Sequence, residues 1–379
     1  MTVTQVYSIL NNITKEIIGD SVVVAEDLSN VVDVGSAIMS TAGGLDNYVK
    51  ALPDHVGRMV FVDRVYAGRA PSVLMDGWEF GSILEKVRAE MPEAEENETW
   101  ELQDRASYDV NVFYKPKVHA KFFNKRVTFE IPISITDKQA KSSFDNPTQM
   151  NAFFSMIYTA IDNSMTVKTD ALIMRTINAA IGETLHDNNS ARAVNLLALY
   201  NDAFGTSLTP AQAILDPAFI RYASYIMKRY AGRLANMSRL FNIGGTDKFT
   251  PADRLKCVLL DDFKAAAEVY LYDANGQMKD ENLKLPAADG VAFWQGSGTS
   301  YAFADVSKID IKTPSGDDVT QTGIIGVMFD RDALGVTNYD RRTTTNYNAK
   351  AEFTNLYSKA DAGYFIDLDE NFVVFYMAA

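Results

Sequence analysis

Three histidines, one cysteine and scattered carboxylates are the groups with which this chain could do chemistry, and their spacing argues against most of it. His55, His119 and His186 lie far apart in three different contexts, with no HExxH and no histidine pair four residues apart. A zinc site or a Cys–His nucleophile needs at least two such groups to converge. Cys257 sits inside KCVLL and reads as a small buried hydrophobe. Gly296-Ser297-Gly298 has two glycines of a phosphate loop, but the third glycine of GxGxxG and any Gly-Lys-Ser/Thr are absent, so it reads as a flexible tip. Asp367, Asp369 and Glu370 in IDLDENF lack the glycine and spacing of a calcium loop and read as a solvated turn between two strands. No catalytic residue, metal or cofactor is expected.

Charge is distributed more tellingly. Glu93, Glu95, Glu96, Glu98 and Glu101 form an acidic run, EAEENETWE, while Arg221, Lys228, Arg229, Arg233 and Arg239 form the one basic stretch. The basic stretch suits either DNA phosphates or acidic surfaces of neighbouring subunits, and the two runs would suit each other across an interface. Arg341 and Arg342 join the same candidate intersubunit set. The net charge of −13 argues against a dedicated nucleic-acid binder and an anionic membrane partner. With 379 residues, 47% of them hydrophobic, there is room for two or three domains with real cores. A single cysteine excludes an internal disulfide framework, and no apolar stretch reaches the ~18 residues of a membrane span, so assembly in the cytoplasm is expected.

The element that must hold the rest in place runs from Asn146 to Gly182. Asn146 can cap the first free N–H groups, Pro147 suits the first turn and Gly182 can take a left-handed position after the last. Between them Met150, Phe153, Phe154, Ile157, Ile161, Met165, Leu172, Ile177 and Ile181 trace an apolar stripe. A helix of about 35 residues spans on the order of 50 Å, more than a compact domain needs.

Before it, residues 4–18 form an amphipathic helix, residues 20–50 an irregular arm, and 58–66 a strand. From Trp78 to Ile135, Val118, Ala120 and Phe122 alternate, as do Val127, Phe129, Ile131 and Ile133. The pattern predicts a long two-stranded ribbon carrying the acidic run, with support from another subunit because an isolated hairpin is marginal in water. Beyond the long helix, residues 191–204 and the segments opened by Thr209-Pro210 and Asp216-Pro217 read as helices. Lys256–Leu260 reads as a buried strand before a helix to about Tyr272, with strands near 302–312 and 323–329, and the chain closes on β structure through NFVVFYM.

The segment from Gly323 to Ala378, GIIGVMFDRDALGVTNYDRRTTTNYNAKAEFTNLYSKADAGYFIDLDENFVVFYMA, together with the order of elements before it, resembles tailed-bacteriophage major capsid proteins of the Hong Kong 97-like fold. The resemblance implies an α+β fold: an N-terminal arm (1–50), a P-domain entry strand and turn (51–77), an E-loop ribbon (78–135), a P-domain spine helix (136–183), an A domain (184–335) and P-domain closing strands (336–379). It implies a structural protein that assembles through pentamers and hexamers into an icosahedral head around phage DNA, touched only weakly. Its partners would be further copies of itself, a separate scaffolding protein because the arm begins at Met1, a portal protein and, where one exists, a decoration protein. Some relatives crosslink a ribbon lysine; Lys115, Lys117, Lys121 and Lys125 are available, but nothing selects one. An encapsulin-type nanocompartment shell is the alternative, and a cytosolic α/β enzyme using residues 296–300 the more distant one.

Overall fold

A computed structural model of the chain describes residues 84–94, 96, 100–107, 111, 113–136, 147–271, 287–292, 294, 308–312 and 317–378, with pieces of the first 75 residues at 7, 10–15, 24–25, 29–30, 33–34, 37 and 73–75. In chain order the elements are β1 (Leu74–Met75), β2 (Leu84–Ala89), β3 (Val118–Phe123), β4 (Arg126–Thr136), α1 (Pro147–Asp187), β5 (Ala193–Asn195), α2 (Leu196–Phe204), α3 (Pro210–Ala213), α4 (Pro217–Leu234), β6 (Leu255–Leu260), α5 (Asp261–Leu271), β7 (Asp289–Val291), β8 (Lys308–Lys312), β9 (Asp318–Thr322), β10 (Ile324–Asp330), β11 (Leu334–Asn348), β12 (Phe353–Ile366) and β13 (Phe372–Tyr376). The strand expected at 58–66, the irregular arm for the most part, and the glycine loop at 296–298 lie outside the described residues.

Helix α1 is 41 residues long. Its first described turns bury one side only, with Ile161, Met165 and Thr169 inside while Asn163 and Val167 face out; from Ala171 to Ile181 nearly every side chain is buried. The change comes where the helix enters the body, packing against β4, β11 and β12 and also against β8, β9 and β13. Buried Thr169, Thr176 and Thr184 donate to the carbonyls four residues back at 3.0, 2.8 and 2.8 Å, so the interior carries these hydroxyls without orphan donors. The expected C-terminal glycine does not end the helix. α1 continues through Gly182 to Asp187. A Cβ at Gly182 would lie 3.0 Å from the Ile311 side chain, so this glycine serves the close approach of β8.

Two sheets flank the helix. The first has the order β1-β11-β12-β4, with β11 and β12 forming a long antiparallel hairpin and β4 pairing with β12 from Arg126 to Thr136. This corrects the ribbon expectation: residues 126–135 do not pair with 118–123, because β12 offers them an eleven-residue ladder while β3 pairs with β2. The second sheet, β5-β13-β10-β6-β7, is the deepest layer, and all seven residues of β10 are buried. A strand covered on both faces reads as a continuous apolar run, as IIGVMF does. The predicted helix from Ala191 begins only at Leu196, since Ala193–Asn195 pair in parallel with β13; Gly205 then closes α2 at φ 65° as expected. Asp216 caps α4 by accepting from Ala218 N at 2.9 Å, with Pro217 in the first turn.

Mid-strand Gly326 carries a testable constraint. A Cβ there would fall 2.5 Å from Leu259 Cδ2 and 2.7 Å from the Val258 carbonyl oxygen, the latter unable to swing aside. Gly326→Ala should cost about 1–3 kcal/mol by overpacking, read as a lower denaturation midpoint at unchanged slope. Near the N-terminus, residues 10–15 are helical with Leu10 and Ile13 buried, so these two side chains of the expected stripe dock within their own chain.

Candidate intersubunit ribbon and its anchor

β2 and β3 form an antiparallel ribbon in register from Leu84↔Phe123 to Ala89↔Val118, and its two faces are chemically opposite. Period-two alternation in LEKVRA and VHAKFF puts Leu84, Lys86, Arg88, Lys121 and Phe123 toward the body, and Glu85, Val87, Ala89, Val118, Ala120 and Phe122 away from it. The ribbon's cations are therefore inside and, Glu85 apart, its outer side is apolar, the reverse of what a sheet closing on its own core would do.

The cationic side lands on the turn between β12 and β13. Lys86 Nζ donates to Asp367 Oδ2 at 3.1 Å and also to the Asp332 carbonyl; Lys121 Nζ reaches Asp367 Oδ1 at 3.2 Å and Asp369; Arg88 reaches Asp369 at 3.3 Å; Lys248 meets Glu370 at 2.6 Å. Lys86 also lies 5.1 Å above the Phe365 ring, which itself packs 5.3 Å from Phe123. The turn is preformed for this: Asp367 Oδ1 accepts from Asp369 N at 3.2 Å, Asp367 N donates to Ala333 O at 2.7 Å, and Gly244 N donates to Leu368 O at 2.8 Å. A Cβ at Gly244 would fall 1.9 Å from Asp369 Oδ1 and 3.1 Å from its Cα, so any side chain there would displace the Asp369 carboxylate. A cavity of about 390 Å³ between ribbon and turn is lined by these same groups.

The solvated-turn expectation for IDLDENF is thereby corrected. The stretch is a turn, but the Asp367 side chain is only 4% exposed. Burial alone would push its carboxyl up; the Lys86 ammonium beside it, together with Lys121 and the Asp369 N–H, holds it below the usual aspartate value instead. Lys121 is pulled the other way: burial lowers it, but Asp369 and Asp367 leave it net above the usual lysine value. Sequence reasoning missed Lys86 and Arg88 altogether. The available signal was two cations at alternate strand positions with a valine between them.

Beyond the anchor the ribbon is uncovered. Phe122 is 63% exposed, and in the excursion between the two strands Trp100 is 96%, Phe113 84% and Tyr114 76% exposed. Glu93, Glu96 and Glu101 are exposed there too, while Glu95 and Glu98 lie outside the described residues. Of the candidate cations, Arg239 is held by Asp247 at 2.8 and 2.6 Å and also feels Glu93 of its own ribbon. Arg341 pairs with Asp162 of α1 at 3.1 Å, and Arg342 pairs with Asp361 and Asp340. Arg221, Lys228, Arg229 and Arg233 all sit on α4, away from these pairs. His119 hydrogen-bonds Glu90 at 2.6 Å and His186 meets Asp317 at 3.0 Å; Cys257 is buried, its thiol pushed up to about 12 by desolvation, which removes it as a nucleophile.

A ribbon that turns Val87, Val118 and Phe122 outward is built to be covered by something else. The family model described as Phi29-like phage major capsid protein matches residues 9–376. The chain belongs to that family. It is a major capsid protein of a tailed phage. A chain in the capsid structure of Staphylococcus phage Andhra has a TM-score of 0.51 at 9% identity, with 84% of this chain and 87% of that one covered. A chain in the structure of the head fibre and inner core protein of native bacteriophage P68 has a TM-score of 0.51 at 9% identity, with 83% and 86% covered. At these identities the likeness is one of fold, a mixed helix and strand arrangement similar to phage capsid folds. No curated protein matches. The family is a phage family, which disfavours the nanocompartment alternative for this capsid protein.

Proposed function

We propose that this capsid protein closes into pentamers and hexamers that tile an icosahedral head, and that the ribbon of each copy is covered by a neighbouring copy. In Hong Kong 97-like terms the ribbon is the E-loop, α1 the spine helix of a P domain that includes the β11–β12 hairpin, and the β6–β10–β13 sheet with α4 and α5 the body of an A domain. The observation that carries this reading is the inverted ribbon, cations in and apolar residues out. Heterologous contacts that close into rings use one surface on each copy to cover a different surface on the next. A shell so built needs no strong single contact, because many weak ones form together. The reading brings in a scaffolding protein, a portal protein, room for a decoration protein, and packaged DNA that a chain of net charge −13 touches weakly. The protein works as a structural element without catalysis, within the virion capsid, after assembly in the host cytoplasm.

Replacing Trp100, Phe113 and Tyr114 together with serine tests this. These rings touch little in their own chain, so the isolated subunit should keep its melting temperature, while sedimentation velocity should show megadalton particles lost. Particles formed at wild-type yield would contradict the reading.

A further inference from the structure

Resting on the shell reading above, we infer that the exposed face of α4 is the surface on which each copy touches the packaged duplex, through its phosphates and without regard to sequence. Helix α4 has eighteen residues and not one carboxylate, in a chain of net charge −13. The charge of the whole chain therefore hides a local surface of opposite sign. Its cations, Arg221, Lys228, Arg229 and Arg233, make no ion pair with any described carboxylate, whereas Arg239, Arg341 and Arg342 are each neutralised within the chain. Asp216, the carboxylate just ahead of the helix, is occupied by the cap and by Tyr200. The Arg229 guanidinium lies 5.7 Å over the Tyr225 ring and that of Arg233 5.5 Å over Tyr230, so both are held in place with their charge uncancelled.

The exposed stripe of α4 runs Ala218, Arg221, Tyr225, Lys228 and Gly232, at alternating steps of three and four, so it faces one way. Ala218 and Gly232 barely rise above the backbone, which leaves Arg221, Tyr225 and Lys228 as the points of contact. Arg221 and Lys228 lie about 10 Å apart along the helix axis. Duplex DNA carries one negative charge per ~1.7 Å of its own axis, so both cations meet phosphate in any register. Tyr225, 48% exposed between them, offers a hydroxyl of the kind that donates to phosphate oxygens. A protein partner fits this stripe less well. The centre of a protein interface is depleted in charged residues, lysine among them, whereas interfaces with DNA are polar and strongly positive. The outward residues of α1 between 158 and 170, Thr159, Ala160, Asn163 and Val167, carry no charge and give phosphate nothing to pair with. A few such contacts per copy hold DNA through their number, while the acidic remainder of the chain keeps the duplex from adhering elsewhere.

The test is ultraviolet irradiation of purified DNA-filled particles, followed by nuclease and protease digestion and mass spectrometry. Nucleotide adducts on peptides from residues 217–234 support the inference. Adducts confined to other segments, or none, overturn it and leave the shell reading standing; failure of the wild-type chain to form any particle overturns both. A second measurement follows the free subunit binding a fluorescent duplex of mixed sequence across a salt series. Arg221→Gln with Lys228→Gln removes two phosphate contacts, so the slope of log affinity against log salt should flatten by about 1.8. An unchanged slope overturns the inference. So does loss of particles in the same double variant, which would put a neighbouring copy rather than DNA on α4.

Discussion

Asp367→Ala should release the ribbon from the body and abolish shell formation while the two sheets stay folded. The substitution leaves Lys121 with Asp369 and Lys86 with the Asp332 carbonyl alone, and removing one partner of a buried ion pair costs about 3–5 kcal/mol because the other charge remains in place. Here the lower end of that range applies, since both lysines keep partial access to water. The expected readout is rapid proteolytic cleavage within residues 84–123, and loss of particles by sedimentation. Asp367→Asn, which keeps an acceptor for Asp369 N but no charge, should fall in between. Unchanged protease resistance in Asp367→Ala would contradict the anchoring role.

The same cluster predicts how the anchor responds to pH. Asp367 titrates below its unfolded value, so its contribution is fully present above about pH 4 and is lost as pH falls through the lower folded value. Lys121 titrates above its unfolded value of about 10.4, so its contribution is complete below that pH and fades only as pH rises through the folded value. The ribbon should therefore stay seated across the whole neutral range and come free only in strong acid or strong base, which protease sensitivity measured from pH 3 to 11 would reveal.

Phe375→Ala should act on the fold itself. Phe375 is fully buried on β13, with its ring edge-on to Tyr230 of α4 at 5.5 Å, so the change opens a cavity between the deepest sheet and the helix layer. Truncating a buried phenylalanine costs about 3–5 kcal/mol, a large share of the stability of a typical domain. The chain should become prone to aggregation, with a melting temperature lowered by several degrees in any fraction that folds. A melting temperature within error of wild type would mean that the layer repacks. Asp367→Ala and Phe375→Ala thus separate the two levels of the structure, one detaching the ribbon and the other loosening what carries it.

Much of this architecture was legible from local chemistry. Asp216-Pro217 marks the start of α4, Gly205 the end of α2, and KCVLL the buried β6, because each signal depends only on residues a few positions apart. Where the partner lies far along the chain, legibility ends. Alternation in residues 126–135 specifies two faces but not which strand pairs alongside, and that strand, β12, lies more than two hundred residues on. The burial of Asp367 depends on Lys86, 281 residues earlier, and a DLDE turn gives no sign of it. Gly182 was misread for a related reason: near the end of an apolar stripe a glycine resembles a cap, whereas its real constraint is Ile311. Of the candidate interface residues, Arg239, Arg341 and Arg342 are engaged within the chain, which charge counting alone cannot reveal.

The most direct test of the central claim, that a neighbouring copy covers the outward ribbon, is hydroxyl-radical footprinting of free subunits and purified particles side by side. Oxidation of Trp100, Phe113, Tyr114 and Phe122 should be fast in the subunit and fall severalfold in the particle, while Tyr347, exposed on the β11 hairpin, serves as a comparison site. Equal oxidation of the ribbon rings in subunit and particle would contradict the account.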